Sequence, residues 1–244
     1  MIVLSNNPDV GPPPRRPRAA FLAATSLTFL KPRLRRALRP LVERLFRAGI
    51  TANQVTVTSL IGSVAIGVLL SVRGHQSALF GLLPVWLLAR MILAVVDGTL
   101  AIDFGQKSRL GGFLNDAGDM LSDVALFVPL AFVASFQPCW IALVIALTVL
   151  SEVVGIVAGT MRGGSRRLDG PFGKADRSVA LGAIGVWIAC NGSPPAGGVL
   201  LPGFTILLLI TIINRVRFGT AEIRHSAAAK SGREQGRANE KTLR

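Results

Sequence analysis

The sequence predicts an all-α, polytopic membrane protein: six transmembrane helices preceded by a basic amphipathic interfacial helix, with both termini cytoplasmic. Three observations support this. Hydrophobic residues make up 50% of the chain and charged residues only 16%. The apolar residues lie in runs of bilayer-crossing length. The basic residues are concentrated in alternate connections between those runs, as the positive-inside rule requires.

Four segments follow one another along the chain. Residues 1–32 are rich in Pro and Arg and are predicted to form a disordered arm. Residues 33–49 are predicted to form an amphipathic helix on an anionic leaflet, with a solvated basic helix as the alternative. Residues 50–218 form the six-helix membrane domain, and residues 219–244 a disordered basic tail. The apolar stripe of the amphipathic helix consists of Leu34, Leu38, Leu41, Val42, Leu45 and Phe46.

The membrane spans are predicted from the apolar runs. Ten basic residues precede the first span, two separate the second from the third, five separate the fourth from the fifth, and eight follow the sixth. Only Arg73 and Arg90 lie elsewhere. Topology therefore accounts for the net charge of +14, and we expect no nucleic-acid partner. The spans are Val55–Val72, Ala78–Val96, Ala117–Phe136, Cys139–Thr160, Ser178–Cys190 and Gly198–Asn214. The two cysteines are expected to be buried free thiols rather than a disulfide.

An acidic stretch, residues 97–123, interrupts this apolar pattern with five aspartates and one asparagine. An ionisable side chain in a spanning helix costs roughly 2.5–3.5 kcal/mol, so it is a functional candidate. Asn115, Asp119 and Asp123 share one stripe of the third helix, and Asp97 ends the second. Their convergence predicts a divalent cation held by oxygen ligands. Helix capping is the alternative, but it does not explain Asp123.

Glycines and basic residues in the same stretch point to a phosphate ligand. Gly98, Gly105, Gly111 and Gly112 let backbone approach a ligand closely. Arg109 lies beside them and could meet a phosphate. Together with the acidic residues, this pattern suggests a pyrophosphate bound with a metal.

The stretch beginning DGTLAIDFGQKSRLGGFLNDAGD resembles the signature DxxDGxxARx(8)GxxxDxxxD of the CDP-alcohol phosphatidyltransferase family. Matching positions are Asp97, Gly98, Ala101, Gly111 and Asp119. The segments ITANQVTVTSL and GPFGKADRS also resemble family motifs, as does the six-helix pattern. The resemblance covers about residues 33–218.

The resemblance implies a phosphotransferase of phospholipid biosynthesis in the bacterial inner membrane, with a cytoplasmic active site. It would move a substituted phosphate from a CDP-linked donor, expected to be CDP-diacylglycerol, to an alcohol, releasing CMP. The expected partners are these substrates, membrane lipid and a second copy in a homodimer. The implied cofactor is Mg²⁺ or Mn²⁺, with ligands Asp97, Asn115 and Asp119. The donor would be bound by Gly98, Ala101, Arg109 and Gly111, and the acceptor phosphate by Lys174 and Arg177. The catalytic candidates are Asp119 and Asp123.

The chain departs from the signature at three positions. Ala94 and Asn115 stand where the family has aspartates, and Ile102 stands where it has arginine. Fewer anionic ligands weaken the binding of a hard cation. The alternative is therefore a catalytically silent member that binds lipid or nucleotide as a membrane subunit.

Arg90 is the one basic residue predicted to lie inside a span. It is seven residues before Asp97, so it lies about 10 Å deeper on the same helix face. Asp123 and Glu152 fall at a similar depth on the next two helices. An unpaired arginine at this depth is costly, so we predict that Arg90 pairs with Asp123, Glu152 or both.

Overall fold

A computed structural model describes residues 27–160, 170–191, 199–217 and 219–220. The described residues form helices and no strand, which confirms the all-α class. Two 3₁₀ turns, Ser77–Gly81 and Val128–Phe132, directly precede α3 and follow α4. The helices are α1 (Leu27–Arg47), α2 (Ala52–Arg73), α3 (Leu82–Asp103), α4 (Arg109–Phe127), α5 (Pro138–Thr160), α6 (Lys174–Ala189) and α7 (Val199–Arg217).

Helices α2 to α7 each overlap one of the six predicted spans, but α4 begins at Arg109, eight residues before the predicted Ala117, and ends at Phe127 rather than at Phe136. Four helical segments are long and apolar enough to cross a membrane. Of helices α2 to α7, α4 and α6 fall outside that group: α4 carries several acidic residues, and α6 has only 16 residues. Their crossing of the bilayer stays a prediction. The four segments are Ala52–Arg73, Ser77–Asp103, Pro138–Ala158 and Val199–Arg217.

Helix α1 begins at Leu27 rather than at the predicted Arg33, so the last residues of the predicted arm are helical. Part of its apolar stripe packs against the protein: Val42 is fully buried in a cluster shared with α2 and α3. Arg35 forms a two-pronged ion pair with Asp103 at the end of α3. Part of the apolar stripe is thus buried within the fold, and contact of α1 with a leaflet stays a prediction. Residues 1–26 and 221–244, which include most of the predicted arm and tail, lie outside the described residues.

Close packing of α2 on α4 fixes the position of the acidic helix. A Cβ atom at Gly67 would lie 2.2 Å from the Ala125 carbonyl oxygen, so only glycine allows this approach. Closer to the start of α2, Thr56 lies beside Gly118 of α4. This contact brings the polar start of α2 next to the part of α4 that carries Asp119.

Two apolar clusters lie on either side of a polar layer. One contains Leu70, Leu83, Leu126 and other residues of α2 to α7, and the other joins α1 to the facing parts of α2 and α3. Both cysteines are free, as predicted, but they are exposed on the isolated chain rather than buried.

Candidate active site

Three of the predicted site residues converge near the start of α6. Lys174 Nζ lies 2.5 Å from Asp119 Oδ2. Asp97 is linked to this site through Thr56, whose methyl group lies against Gly118, the residue before Asp119. Thr56 of α2 donates a hydrogen bond of 3.0 Å to Asp97 Oδ2. Helices α2, α3, α4 and α6 therefore each contribute one polar side chain to the site.

The signature glycines have different surroundings. A Cβ atom at Gly98 would meet nothing within 4 Å, so this face of α3 is open. At Gly111 a Cβ atom would lie 2.6 Å from Asn53 Oδ1. Gly111 also donates its backbone N–H to the Ser108 hydroxyl, which caps α4. Gly98 thus leaves room for a ligand, whereas Gly111 lets the start of α2 approach α4.

Three other predicted site residues lie on α3 and α4. Asn115 is half-buried and lies one helical turn before Asp119, on the same face of α4. Ala101 is half-buried and packs against the cluster that joins α1 to α3. Arg109 is exposed at the first residue of α4.

Two of the three departures from the signature lie on one face of α3. Ala94, Gly98 and Ile102 are spaced four residues apart and therefore form one stripe. Ala94 is exposed, and the Ile102 side chain is 66% exposed. The open face of α3 therefore carries apolar side chains where the signature has an aspartate and an arginine.

Arg90 forms the ion pair predicted for it. Its Nη1 lies 2.9 Å from Asp123 Oδ1. Its Nη2 donates to the Asp119 backbone carbonyl at 3.3 Å and lies 3.5 Å from Asp119 Oδ1. The pair is buried, with side chains 6% exposed. Arg90 therefore joins Asp123 to the acidic site above it.

Arg177 lies in a different environment from the one expected for a phosphate ligand. Its side chain is only 1% exposed. One guanidinium nitrogen, Nη2, lies 3.0 Å from Asp123 Oδ2 and 2.8 Å from Glu152 Oε1. Arg215 Nη1 of α7 approaches the same Glu152 oxygen at 3.5 Å. The cations contacting Glu152 in the described residues thus come from α6 and α7, and the predicted alternative pairing with Arg90 is not formed there.

These contacts form one continuous series of ion pairs, which we call the charged ladder. It alternates cation and anion, and it links α3, α4, α5, α6 and α7. Buried charges are tolerated when each has a counter-charge, and the ladder supplies one at every step. In order, its members are Lys174, Asp119, Arg90, Asp123, Arg177, Glu152 and Arg215.

Sequence reasoning missed two parts of this arrangement. Arg215 was counted only as a basic residue of the tail, although it lies within α7 and is 1% exposed. Thr56 was not considered, because a threonine in an apolar run carries no distinctive signal. The spacing of Arg215 from Thr211 and Leu208, which continues the buried face of α7, was the available clue.

The fold and site together define a helical integral membrane protein that gathers carboxylates and cations at one polar site. Residues 49–216 match the CDP-alcohol phosphatidyltransferase family, and the chain belongs to that family.

Individual relatives support this membership. Inner membrane protein YnbA of Escherichia coli K12 is 39% identical over 189 residues, covering 77% of this chain and 93% of that protein. Phosphatidylinositol phosphate synthase of Mycobacteroides abscessus is 31% identical over 134 residues, covering 54% and 59% respectively. The enzyme of that name from Mycobacterium tuberculosis is 27% identical over 186 residues, covering 75% and 83%.

Proposed function

We propose that this protein is an active membrane phosphotransferase that moves a substituted phosphate from a CDP-linked donor to an alcohol. The donor is CDP-diacylglycerol. The alcohol oxygen forms a bond to the phosphorus that carries diacylglycerol, the bond from that phosphorus to CMP breaks, and the alcohol proton passes to a carboxylate. The observation that carries this proposal is that Lys174 pairs with Asp119, while Thr56 links Asp97 to the adjoining turn of α4.

The donor set fits a single divalent cation. Magnesium is usually bound in proteins by one or two carboxylates, with water and substrate phosphates completing its shell. Asp97 and Asp119 supply the carboxylates, and Asn115 supplies a neutral amide oxygen. The described residues contain no cluster of three or more His, Cys, Asp or Glu side chains placed to hold a metal, so the nucleotide must supply part of the shell. Mg²⁺ or Mn²⁺ there would stabilise the negative charge that develops on the CMP leaving group.

The ion pairs give the two catalytic candidates, Asp119 and Asp123, different surroundings. Asp119 is 20% exposed, whereas Asp123 is buried between Arg90 and Arg177. A base must be within reach of the proton that it accepts. We therefore assign proton abstraction to Asp119, and a structural role to Asp123 and Arg177. Lys174 is left to bind the acceptor phosphate. Gly98 leaves space for the nucleotide beside α3. Ala101 on the same helix, and Arg109 and Gly111 at the start of α4, are the other residues assigned to bind the nucleotide.

Orientation and assembly complete the proposal. All six helices α2 to α7 cross the bacterial inner membrane, with both termini and the active site on the cytoplasmic side, and α1 lies along the inner leaflet. The protein acts as a homodimer. The alternating distribution of basic residues supports this orientation.

The deciding experiment measures CMP release from CDP-diacylglycerol by the purified full-length protein. Inositol phosphate is the first acceptor to test, because several relatives are phosphatidylinositol phosphate synthases; glycerol phosphate, serine and inositol follow. Asp119→Asn should abolish CMP formation without lowering expression, since it removes both the base and a metal ligand. CMP formation by Asp119→Asn at the wild-type rate would refute the assignment.

A catalytically silent membrane subunit is the second candidate. The apolar stripe of Ala94 and Ile102 beside Gly98 favours it, because two polar signature positions are lost there. CDP binding without CMP release, across all donors and acceptors tested, would support this function instead.

A further inference from the structure

Asp119 is held by two cations of different character. Arg90 is buried, contacts Asp119 through a side-chain oxygen and the backbone carbonyl, and is also bound to Asp123. Lys174 is 36% exposed and contacts only the other carboxylate oxygen, Oδ2, among the ion pairs of the described residues. Arg90 is therefore fixed by several partners, whereas the Lys174 ammonium is at the end of a flexible stem and can leave.

The Lys174 contact competes with a metal for the same atom. At 2.5 Å, the ammonium occupies the Asp119 Oδ2 position at which a divalent cation would bind. The start of α6 is anchored independently, because Phe172 donates its backbone N–H to the Thr211 hydroxyl of α7 at 3.1 Å and Arg177 pairs with Asp123 of α4. Departure of the Lys174 side chain therefore does not require α6 to move.

We propose that Lys174 is a place-holder cation, an inference that rests on the metal site of the proposed function. In the free protein, its ammonium neutralises Asp119. When a divalent cation takes Asp119 Oδ2, Lys174 swings away and becomes available to the acceptor phosphate. Metal binding at Asp119 thus frees Lys174 for the acceptor phosphate. Binding of the metal and binding of the acceptor phosphate are therefore positively coupled. Since coupling is reciprocal, a bound phosphate should also tighten metal binding.

The first test titrates Mn²⁺ into the full-length protein in nanodiscs and measures free Mn²⁺ by electron paramagnetic resonance. Lys174→Met should bind Mn²⁺ more tightly than wild type, on the order of tenfold, in the range of typical site couplings. Lys107→Met is the matched control, because it removes one exposed positive charge from the α3–α4 connection. Lys174→Arg, which keeps the charge, should bind Mn²⁺ as weakly as wild type. Equal Mn²⁺ affinity of Lys174→Met and Lys107→Met would overturn the proposal.

The second test needs no substitution, so it remains decisive if Lys174→Met fails to fold. Amine-selective labelling followed by mass spectrometry reports the accessibility of each lysine. Saturating Mn²⁺ should increase labelling of Lys174 and leave Lys107 unchanged. Unchanged labelling of Lys174 at saturating Mn²⁺ would overturn the place-holder role.

The third test separates this inference from the proposed function. In wild type, Mn²⁺ should raise the affinity for inorganic phosphate, and Lys174→Met should abolish that increase. A wild-type protein that binds no Mn²⁺, with or without CDP, would refute the metal site itself. Mn²⁺ binding that leaves phosphate affinity unchanged would refute only the place-holder role.

Discussion

Replacing Arg177 by Met tests the charged ladder most directly. The substitution keeps an unbranched, apolar stem but removes the guanidinium that contacts Asp123 at 3.0 Å and Glu152 at 2.8 Å. Breaking a buried pair by removing one partner typically costs about 3–5 kcal/mol, because a buried charge is left uncompensated. Asp123 keeps Arg90, and Glu152 keeps Arg215 at 3.5 Å. We therefore expect a loss near the lower end, about 3 kcal/mol.

Thermal unfolding in detergent measures this loss. At roughly 2–4 °C per kcal/mol for a chain of this size, the unfolding temperature should fall by about 6–12 °C. Arg39→Met is the matched control: it removes an arginine whose pair with Glu43, at 3.2 Å, is exposed on α1. That pair should contribute only about 0.3–0.5 kcal/mol. Equal effects of Arg177→Met and Arg39→Met would refute the structural role of the ladder.

Three further predictions concern packing, the nucleotide space and metal affinity. Gly67→Ala should lower the unfolding temperature, because its Cβ would lie 2.2 Å from a carbonyl oxygen of α4 and force the helices apart. Gly98→Ala, whose Cβ meets nothing within 4 Å, should unfold like wild type yet lose CMP formation by filling the nucleotide space; an equally unstable Gly98→Ala would contradict this. Ala94→Asp combined with Asn115→Asp should tighten Mg²⁺ binding measured by calorimetry, since each adds an anionic ligand. Unchanged affinity would count against the alignment with the signature.

The pairing of Arg90 with Asp123 could be predicted from the sequence, because the position of a residue along a spanning helix largely sets its depth in the membrane. Each helix residue advances 1.5 Å, and a buried charge needs a partner at its own depth. That argument fixes depth but not direction around the helix axis. It therefore could not decide which cation reaches Glu152, and the structure gives that position to Arg177 and Arg215.

Arg177 shows that counting basic residues in each connecting segment does not predict which of them are buried. The positive-inside pattern treats every basic residue in a connection as solvated. Arg177 lies in the first turn of α6, and its side chain turns into the bundle rather than toward water. Rotation of α6, set by packing of its glycine face on α3, decides this. A single sequence carries no direct signal for that rotation.

The charged ladder also constrains how the bundle can be built. A helix that carries Arg90, Glu152 or Arg215 alone would bring an unpaired charge into the bilayer, which is costly. Arg90 and Glu152 take partners from α4 and α6, the described helices of the membrane domain that fall short of spanning by length and apolar content, whereas Arg215 pairs with Glu152 of α5. The strongly apolar helices therefore need the weakly apolar ones beside them. The packing of α4 and α6 against the apolar helices is therefore what gives Arg90 and Glu152 their buried partners.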